Sequence, residues 1–142
     1  MKLCQFAIAD NKTVIGISCN NDKSVANAKA IYEKLKVPDE SNCLFSFPED
    51  IKSLIEVGEV GLSASREVLN ELSTSEGRQK YLEHIYPVNE TRFLAPITNP
   101  QKFFAIAINR HGGWDTAIKP EKPNPTYFIK LSSCIIGPHD TV

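Results

Sequence analysis

The chain has 142 residues, a formal net charge of −1 at pH 7 and a charged fraction of 23%. A chain of this length buries enough surface to fold without disulfide bonds. Its Lys and Arg residues are scattered, which excludes the basic patch of a nucleic-acid-binding protein, and no segment is apolar over the length of a membrane-spanning helix. We therefore expect neither a nucleic-acid partner nor a membrane partner.

Cysteine spacing and the N-terminal segment indicate the cellular compartment. No two of Cys4, Cys19, Cys43 and Cys134 are separated by only two residues, as a zinc or redox motif would require. The opening MKLCQFAIADNK is too short and too polar for a signal peptide. We therefore expect a cytoplasmic protein with reduced thiols.

The first predicted element is a β-hairpin. In KLCQFAIADNKTVIGISC, apolar residues alternate or run continuously on both sides of the turn residues DNK. This pattern is typical of two antiparallel strands that are joined by a short turn.

The second predicted element is a helix. In SVANAKAIYEKLK, apolar residues between positions 25 and 35 recur at helical spacing. Ser24, Asn21 or Asp22 can cap its start, and Pro38 ends it.

Further short helices are predicted before residue 88. FPEDIKSLIEVG has a proline in its first turn and ends at Gly58, and SASREVLNELS has an apolar face. Together with the first helix they make three or four short helices, which we expect to pack onto a sheet. The last, EGRQKYLEHIYP, groups Tyr81, Leu82 and Ile85 on one face.

Extended segments follow from Thr91. The continuous apolar run Phe103–Ile108 is typical of a strand that is buried on both faces, and TYFIKL, residues 126–131, is a second strand. The change in apolar period predicts an α+β chain with two domains. The first covers residues 1–90, and residues 91–142 begin the second.

The C-terminal third carries a specific series of motifs. PITNPQK is followed by the strand FFAIAIN, which ends at Asn109, and then by PTYFIKLSSCIIGPHD. This series resembles the fumarylacetoacetate hydrolase family, whose members carry P-x-x-N-P-x-K, an apolar strand ending in Asn, and P-x-x-F-x-K-x-x-S-x-x-x-G-P-x-D. The matching residues of the last block are Pro125, Phe128, Lys130, Ser133, Gly137, Pro138 and Asp140.

The resemblance implies that residues 1–90 are the family's variable N-terminal domain. Residues 91–142 would supply the first strands and the lid connection of a mixed β catalytic core. The family's metal-binding carboxylates, a Glu-x-Glu pair and a later Asp, come after the G-P-x-D motif, so we expect a truncated catalytic domain here. A full-length member is expected to bind Mg²⁺, or Ca²⁺ or Mn²⁺, and to form a homodimer.

The acidic residues of the chain itself do not suggest a metal site. Asp39 with Glu40, and Glu49 with Asp50, are adjacent rather than one residue apart. Adjacent side chains on a helix or strand point in different directions, so they make a poor chelate for a hard cation. We predict no metal ligands and no cofactor within this chain.

Three residues are candidates for the site that the resemblance implies. In the family, a His four residues after the strand's Asn pairs with a carboxylate three residues later, but Gly113 and Thr116 hold these positions here. His111 and Asp115 lie nearby at helical spacing and are the candidate catalytic pair. Lys130 matches the family's strand Lys and is the candidate for binding substrate anions.

Simpler interpretations of these residues stay open. His111 also fits a surface residue of a polar loop, and Lys130 fits the solvent side of an alternating strand.

Two functions are consistent with the sequence. The first is the N-terminal part of a fumarylacetoacetate hydrolase-like enzyme, a metal-dependent hydrolase or decarboxylase of small 2-oxo or 1,3-dicarbonyl acids, which is inactive as this chain alone. The alternative is a stand-alone, non-catalytic module that binds a partner through an exposed strand edge. The sequence identifies neither the substrate nor whether this chain is itself an enzyme.

Overall fold

The computed structural model describes residues 1–36, 45–108 and 126–141 of the chain. They belong to two compact units, Met1–Ile97 together with Gly137–Val142, and Thr98–Ile136. Helices and antiparallel strands are both present, which confirms the predicted α+β class. The predicted domain division between residues 90 and 91 stays a prediction.

The first unit contains a five-stranded antiparallel sheet with the order β4-β3-β2-β1-β5. Its first two strands pair with Leu3 opposite Ile17, which confirms the predicted N-terminal hairpin. Asn11, in the turn between them, has a φ of 56°, a conformation that asparagine adopts more readily than most residues. The strands are β1 (Leu3–Ala7), β2 (Thr13–Cys19), β3 (Ser24–Asn27), β4 (Ile85–Pro87) and β5 (Arg92–Leu94).

This sheet is curled. Strands β4 and β5 lie at opposite edges, although only residues 88–91 separate them along the chain. A flat sheet would place its outer strands about 19 Å apart, farther than a short link containing a 3₁₀ turn can span. The rings of Phe6 on β1 and Tyr86 on β4 are 5.4 Å apart although two strands lie between them. The two edges therefore curve towards each other.

The concave face of the curled sheet is filled by its own side chains. Phe6, Val14 and Val25 are buried there. A Cβ on Gly16 would lie 2.5 Å from both Cys4 Sγ and Val25 Cγ2. Glycine is therefore required at this position because the curled interior has no room for a side chain.

Helices cover the other face of the sheet. They are α1 (Ala28–Lys36), α2 (Ile51–Val57), α3 (Glu59–Ser73) and α4 (Ser75–Lys80). As predicted, α2 ends at Gly58, whose φ of 70° suits glycine. The buried core between helices and sheet includes Ile15, Ile17, Ile31, Phe47, Leu54, Val68 and Leu72.

The buried side chain of Gln5 connects β1 with α2 and with the segment after β5 by hydrogen bonds. Its side chain is buried, Oε1 accepts a hydrogen bond from Ile51 N at 2.8 Å, and Nε2 donates to Ala95 O at 3.4 Å. A buried amide is stable only when it is paired in this way. One side chain therefore links β1 to α2 and to the segment after β5.

Helix predictions were wrong at several boundaries. Helix α2 begins at Ile51, so Pro48 precedes it rather than lying in its first turn. The first helix begins at Ala28, because residues 24–27 form β3 after a turn with positive φ at Asn20, Asn21 and Asp22. Asn27 caps it instead, its Oδ1 accepting from Ala30 N at 3.2 Å. The predicted end of this helix at Pro38 lies outside the described residues.

The predicted helix over EGRQKYLEHIYP also differs from the structure. Helix α4 ends at Lys80, Ile85 belongs to β4, and only Tyr81 of the proposed face is buried, since Leu82 is exposed. Apolar residues at helical spacing predicted a helix here, but Ile85 pairs with Ala26 of β3 and forms a strand instead.

The second unit contains a two-stranded antiparallel sheet of β6 (Phe104–Ile108) and β7 (Thr126–Ile129). Both strands were predicted, although Asn109 lies outside the described residues. The prediction that the first is buried on both faces was wrong, since Phe104 and Ile106 are exposed. A continuous apolar run therefore specified the strand but not its burial.

Candidate functional site

Lys130, the predicted substrate-binding residue, directly follows β7. Its backbone N donates to Phe103 O at 2.9 Å, which continues the strand pairing. Its Nζ lies 5.8 Å from the centre of the Phe128 ring, so these two side chains share one face of the hairpin. The ammonium group is thus on an exposed surface beside an aromatic ring, where it can contact an anion in solution.

Strand register separates the two faces of this hairpin. Ala105 lies opposite Phe128, so both share the face of Lys130, which we call the lysine face. Phe104 lies opposite Ile129, and Ile106 opposite Tyr127, on the other side, which we call the apolar face. The role of Lys130 in substrate binding stays a prediction.

His111 and Asp115, the predicted catalytic pair, lie outside the described residues, as do Gly113 and Thr116 at the family's positions. Their assignment stays a prediction that depends on the resemblance.

The G-P-x-D motif contacts β5, and the sequence did not predict this contact. Asp140 Oδ2 accepts a hydrogen bond from Gly137 N at 2.8 Å, and Asp140 Oδ1 lies 3.5 Å from Arg92 Nη2. A Cβ on Gly137 would lie 2.6 Å from Phe93 O, so only glycine allows this approach. The motif's Gly and Asp therefore hold the segment after residue 136 against the outer edge of the sheet.

A pocket of about 510 Å³ lies between the turn after β2 and the end of α3. Its charged groups already have partners. Arg78 Nη1 donates to Leu72 O at 2.8 Å and to Ser73 O at 2.9 Å, and the Asp22 carboxylate pairs with Lys2. Burial raises the pKa of the Cys19 thiol in its wall, which disfavours the reactive thiolate. We assign no chemistry to this pocket.

The adjacent acidic residues that the structure describes are used in other ways. Glu49 pairs with Lys29, and Asp50 caps α2 by accepting from Ser53 N at 2.9 Å. The residues of ranges 1–36, 45–108 and 126–141 contain no group of three His, Cys, Asp or Glu side chains that could hold a metal ion. The described part of the chain therefore does not fit the metal that the resemblance implies for a full-length member.

Within residues 1–36, 45–108 and 126–141, no helix is both long enough and apolar enough to cross a bilayer.

Comparison with known proteins finds several relatives that are named oxaloacetate tautomerase. No family model matches the chain. A frog oxaloacetate tautomerase (Xenopus laevis) is 26% identical over 143 residues, covering 100% of this chain and 38% of the frog protein. A rat oxaloacetate tautomerase (Rattus norvegicus) is 28% identical over 97 residues, covering 68% of this chain and 28% of the rat protein.

An orangutan relative carries the family name. The fumarylacetoacetate hydrolase domain-containing protein 2 of Pongo abelii is 29% identical over 97 residues, which cover 68% of this chain and 28% of that protein. The chain thus spans well under half the length of the curated relatives that it matches.

Proposed function

These relatives confirm the predicted resemblance to the fumarylacetoacetate hydrolase-like family, and from it we propose that the chain forms the N-terminal part of such an enzyme. The substrate is a small 2-oxo or 1,3-dicarbonyl acid, and keto–enol tautomerisation of oxaloacetate is the first reaction to test. The observation that carries this proposal is the alignment of the frog oxaloacetate tautomerase along the whole chain, across both units of the structure.

The chemistry of such a reaction defines what the chain would supply. Tautomerisation of a 2-oxo acid moves a proton between carbon 3 and the oxygen on carbon 2, through an enolate that carries extra negative charge. The Lys130 ammonium group, exposed beside Phe128, would bind a substrate carboxylate or the enolate oxygen. His111 and Asp115 would move the proton as a general acid–base pair.

A divalent cation, Mg²⁺ or Ca²⁺ or Mn²⁺, is proposed for the full-length enzyme and not for the described part of this chain. When bound, such a cation polarises the substrate's oxygens. We therefore also propose that the chain alone does not catalyse the reaction. A positioned acid–base residue supplies only about 10²–10⁴-fold, and only when the substrate is held beside it.

The second candidate function is the stand-alone binding module. The exposed apolar face of the β6–β7 hairpin favours it, because exposed apolar surface is common at interaction sites.

Location is part of the proposal. We propose that the protein is located in the cytoplasm, whereas the rat and frog relatives are mitochondrial by name. Fractionation of cells that express the native chain, with antibody detection, would decide between the compartments.

A chimera tests the proposed function. The matched segment of the frog tautomerase is replaced by this chain, and enol formation from oxaloacetate is followed by ultraviolet absorbance with Mg²⁺ or Mn²⁺ present. We expect turnover, a loss of about tenfold or more with Lys130→Ala, and no change with Lys12→Ala, an exposed lysine in the β1–β2 turn.

The frog protein is the positive control, and circular dichroism checks that each chimera is folded. A folded chimera without turnover would contradict the proposed function. Equal turnover in the two lysine variants would contradict the role of Lys130.

A further inference from the structure

Three lysine side chains in the described ranges lie over an aromatic ring, and Lys130 differs from the other two. The Nζ atoms of Lys36 and Lys80 are 5.4 Å and 5.0 Å from the ring centres of tyrosines, and each lysine also pairs with a glutamate. Lys130 Nζ is 5.8 Å from the centre of the Phe128 ring. Among the described residues, however, no carboxylate pairs with Lys130.

The described part of the second unit has no negative side chain of its own. Residues 98–108 and 126–136 include two lysines, Lys102 and Lys130, and no Asp or Glu. An exposed ammonium group without a carboxylate beside it attracts anions from solution. The contact with Phe128 therefore leaves the charge of Lys130 available to an anionic ligand.

Strand register places two aromatic residues next to Lys130. Phe128 precedes it by two positions, and Phe103 lies directly opposite, since Lys130 N donates to Phe103 O at 2.9 Å. All three residues therefore belong to the lysine face. The long side chain of lysine has many rotamers, and apolar neighbours along its methylene groups restrict them. The lysine face thus favours rotamers that keep the ammonium group near the Phe128 ring.

An aromatic ring attracts the ammonium group without neutralising it. The face of a phenyl ring carries partial negative charge and attracts a cation within about 6 Å of the ring centre. A carboxylate would attract the cation more strongly, but it would also compete with an anionic ligand for the same group. A ring is therefore well suited to hold a lysine that binds an anion.

We propose that Phe128 is a positioning residue, which holds the Lys130 ammonium group in place for a carboxylate of the substrate. This inference rests on the proposed function, in which Lys130 binds the anion of a 2-oxo acid. It adds that the ring of Phe128 determines how well that anion is bound, and that Phe128 acts through Lys130.

The contact is tested first by NMR on the purified chain. Protons above the face of an aromatic ring resonate upfield, so the ε-methylene protons of Lys130 should lie upfield of those of exposed Lys12. Phe128→Ile removes the ring but keeps the preference for a strand, and it should abolish this shift. Phe104→Ile, the same substitution on the apolar face, is the matched control and should preserve it. Unchanged Lys130 signals in Phe128→Ile would overturn the proposal.

A double-mutant cycle in the frog chimera tests whether Phe128 acts through Lys130. Phe128→Ile should lower kcat/KM by about two- to fivefold, the range for an exposed cation–π contact. In the Lys130→Ala background the same substitution should have no further effect. Phe128→Tyr, which keeps a ring, should retain activity, and Phe104→Ile should leave it unchanged.

The outcomes separate this inference from the proposed function. Equal losses from Phe128→Ile with and without Lys130 would show that Phe128 has only a structural role, and would overturn the proposal. A loss in Phe128→Tyr as large as in Phe128→Ile would do the same. A folded chimera without turnover would contradict the proposed function and with it the role of Phe128, whereas the NMR measurement decides the contact independently of turnover. Phe128→Val replaces Phe128→Ile if circular dichroism shows that the latter does not fold.

Discussion

Ile17 in β2 and Ile129 in β7 are both isoleucines in antiparallel strands, yet Ile17 is 0% exposed and Ile129 is 75% exposed. The difference lies in the layers around each strand. β2 has a strand on either side, contacts α1 and α3 on one face, and faces the curled interior on the other. β7 has a single neighbouring strand among the described elements.

This contrast shows that strand hydrophobicity specifies pairing but not burial. A sheet face becomes core only when a second layer covers it. In the first unit, the chain supplies both layers from within Met1–Ile97 and Gly137–Val142. In the β6–β7 hairpin, the apolar face stays exposed among the residues that the structure describes.

Truncating the two isoleucines should give the largest difference. Ile17→Ala removes buried methyl groups and leaves a cavity, so it should lower the free energy of unfolding by about 2–5 kcal/mol. Ile129→Ala should change it by less than about 0.5 kcal/mol. Urea unfolding followed by circular dichroism measures both. Equal losses would show that the hairpin is already buried in the monomer.

The reactivity of the cysteine thiols gives a second comparison between the two compact units. Burial raises the pKa of Cys4, on the concave face of the sheet, to about 11, although a backbone hydrogen bond from Gly16 partly opposes it. A rise from 9.0 lowers the thiolate fraction at pH 8 by about 100-fold. Iodoacetamide should therefore label exposed Cys134 long before Cys4, as peptide mass spectrometry would measure.

The raised pKa of Cys4 also has a consequence for stability. The folded state keeps the Cys4 proton to higher pH than the unfolded state does. The contribution of this group to stability is therefore complete below the unfolded value of 9.0 and is lost as pH rises to about 11. In the iodoacetamide experiment, denaturation is the control, and it should remove the difference in labelling rate between Cys4 and Cys134. Equal labelling of Cys4 and Cys134 in the native protein would mean that the curled sheet opens readily.

Substitutions at two glycines separate the cost of a steric clash from the cost of an unfavourable backbone conformation. Gly137→Ala pushes a Cβ against Phe93 O and should cost about 1–3 kcal/mol or detach the turn from β5. Gly58→Ala meets no atom within 4 Å and should cost about 1 kcal/mol through its φ of 70° alone. Hydrogen exchange at Phe93 and Leu94 should accelerate only in the first variant. Unchanged exchange there would contradict the role of the G-P-x-D turn.

A modest effect is expected at the N-cap of α2. Asp50→Ala should cost about 1 kcal/mol, and Asp50→Asn less, because asparagine also caps helices. The backbone N–H of Ser53 lowers the pKa of Asp50, so its contribution is complete above the unfolded value of about 3.9 and is lost below it. Unfolding curves between pH 7 and pH 2 should therefore be less acid-sensitive for Asp50→Asn.

The sequence predicted elements whose pattern is local. The β1–β2 hairpin, α2 with its stop at Gly58, and the strands around Phe104 and Tyr127 depend on alternation, caps and turns within a few residues. Val25 and Ile85 were assigned to helices because helical spacing was the local signal. They lie in strands because β3 pairs with β4, although Val25 and Ile85 are 60 positions apart in the chain. A single sequence does not show such a distant pairing.

The candidate site was predictable only in part for the same reason. The motif pointed to Lys130, Gly137 and Asp140, but the partner of Asp140 is Arg92, 48 residues earlier. Spacing within a motif cannot identify such a distant partner. Lys130 and Phe128 lie two residues apart, so alternation along the strand places them on one face, and their contact agrees with this geometry.

Closure of the curled sheet also sets an order of events during protein synthesis. The hairpin of β1 and β2 can pair as soon as Cys19 has emerged from the ribosome, but the outer edge of β1 awaits β5, with Gln5 opposite Leu94. The Gln5 amide likewise finds its acceptor only when Ala95 is made. Contacts of such long separation form slowly, so the nascent chain carries an open strand edge and an unpaired core amide until almost the whole first unit has been translated.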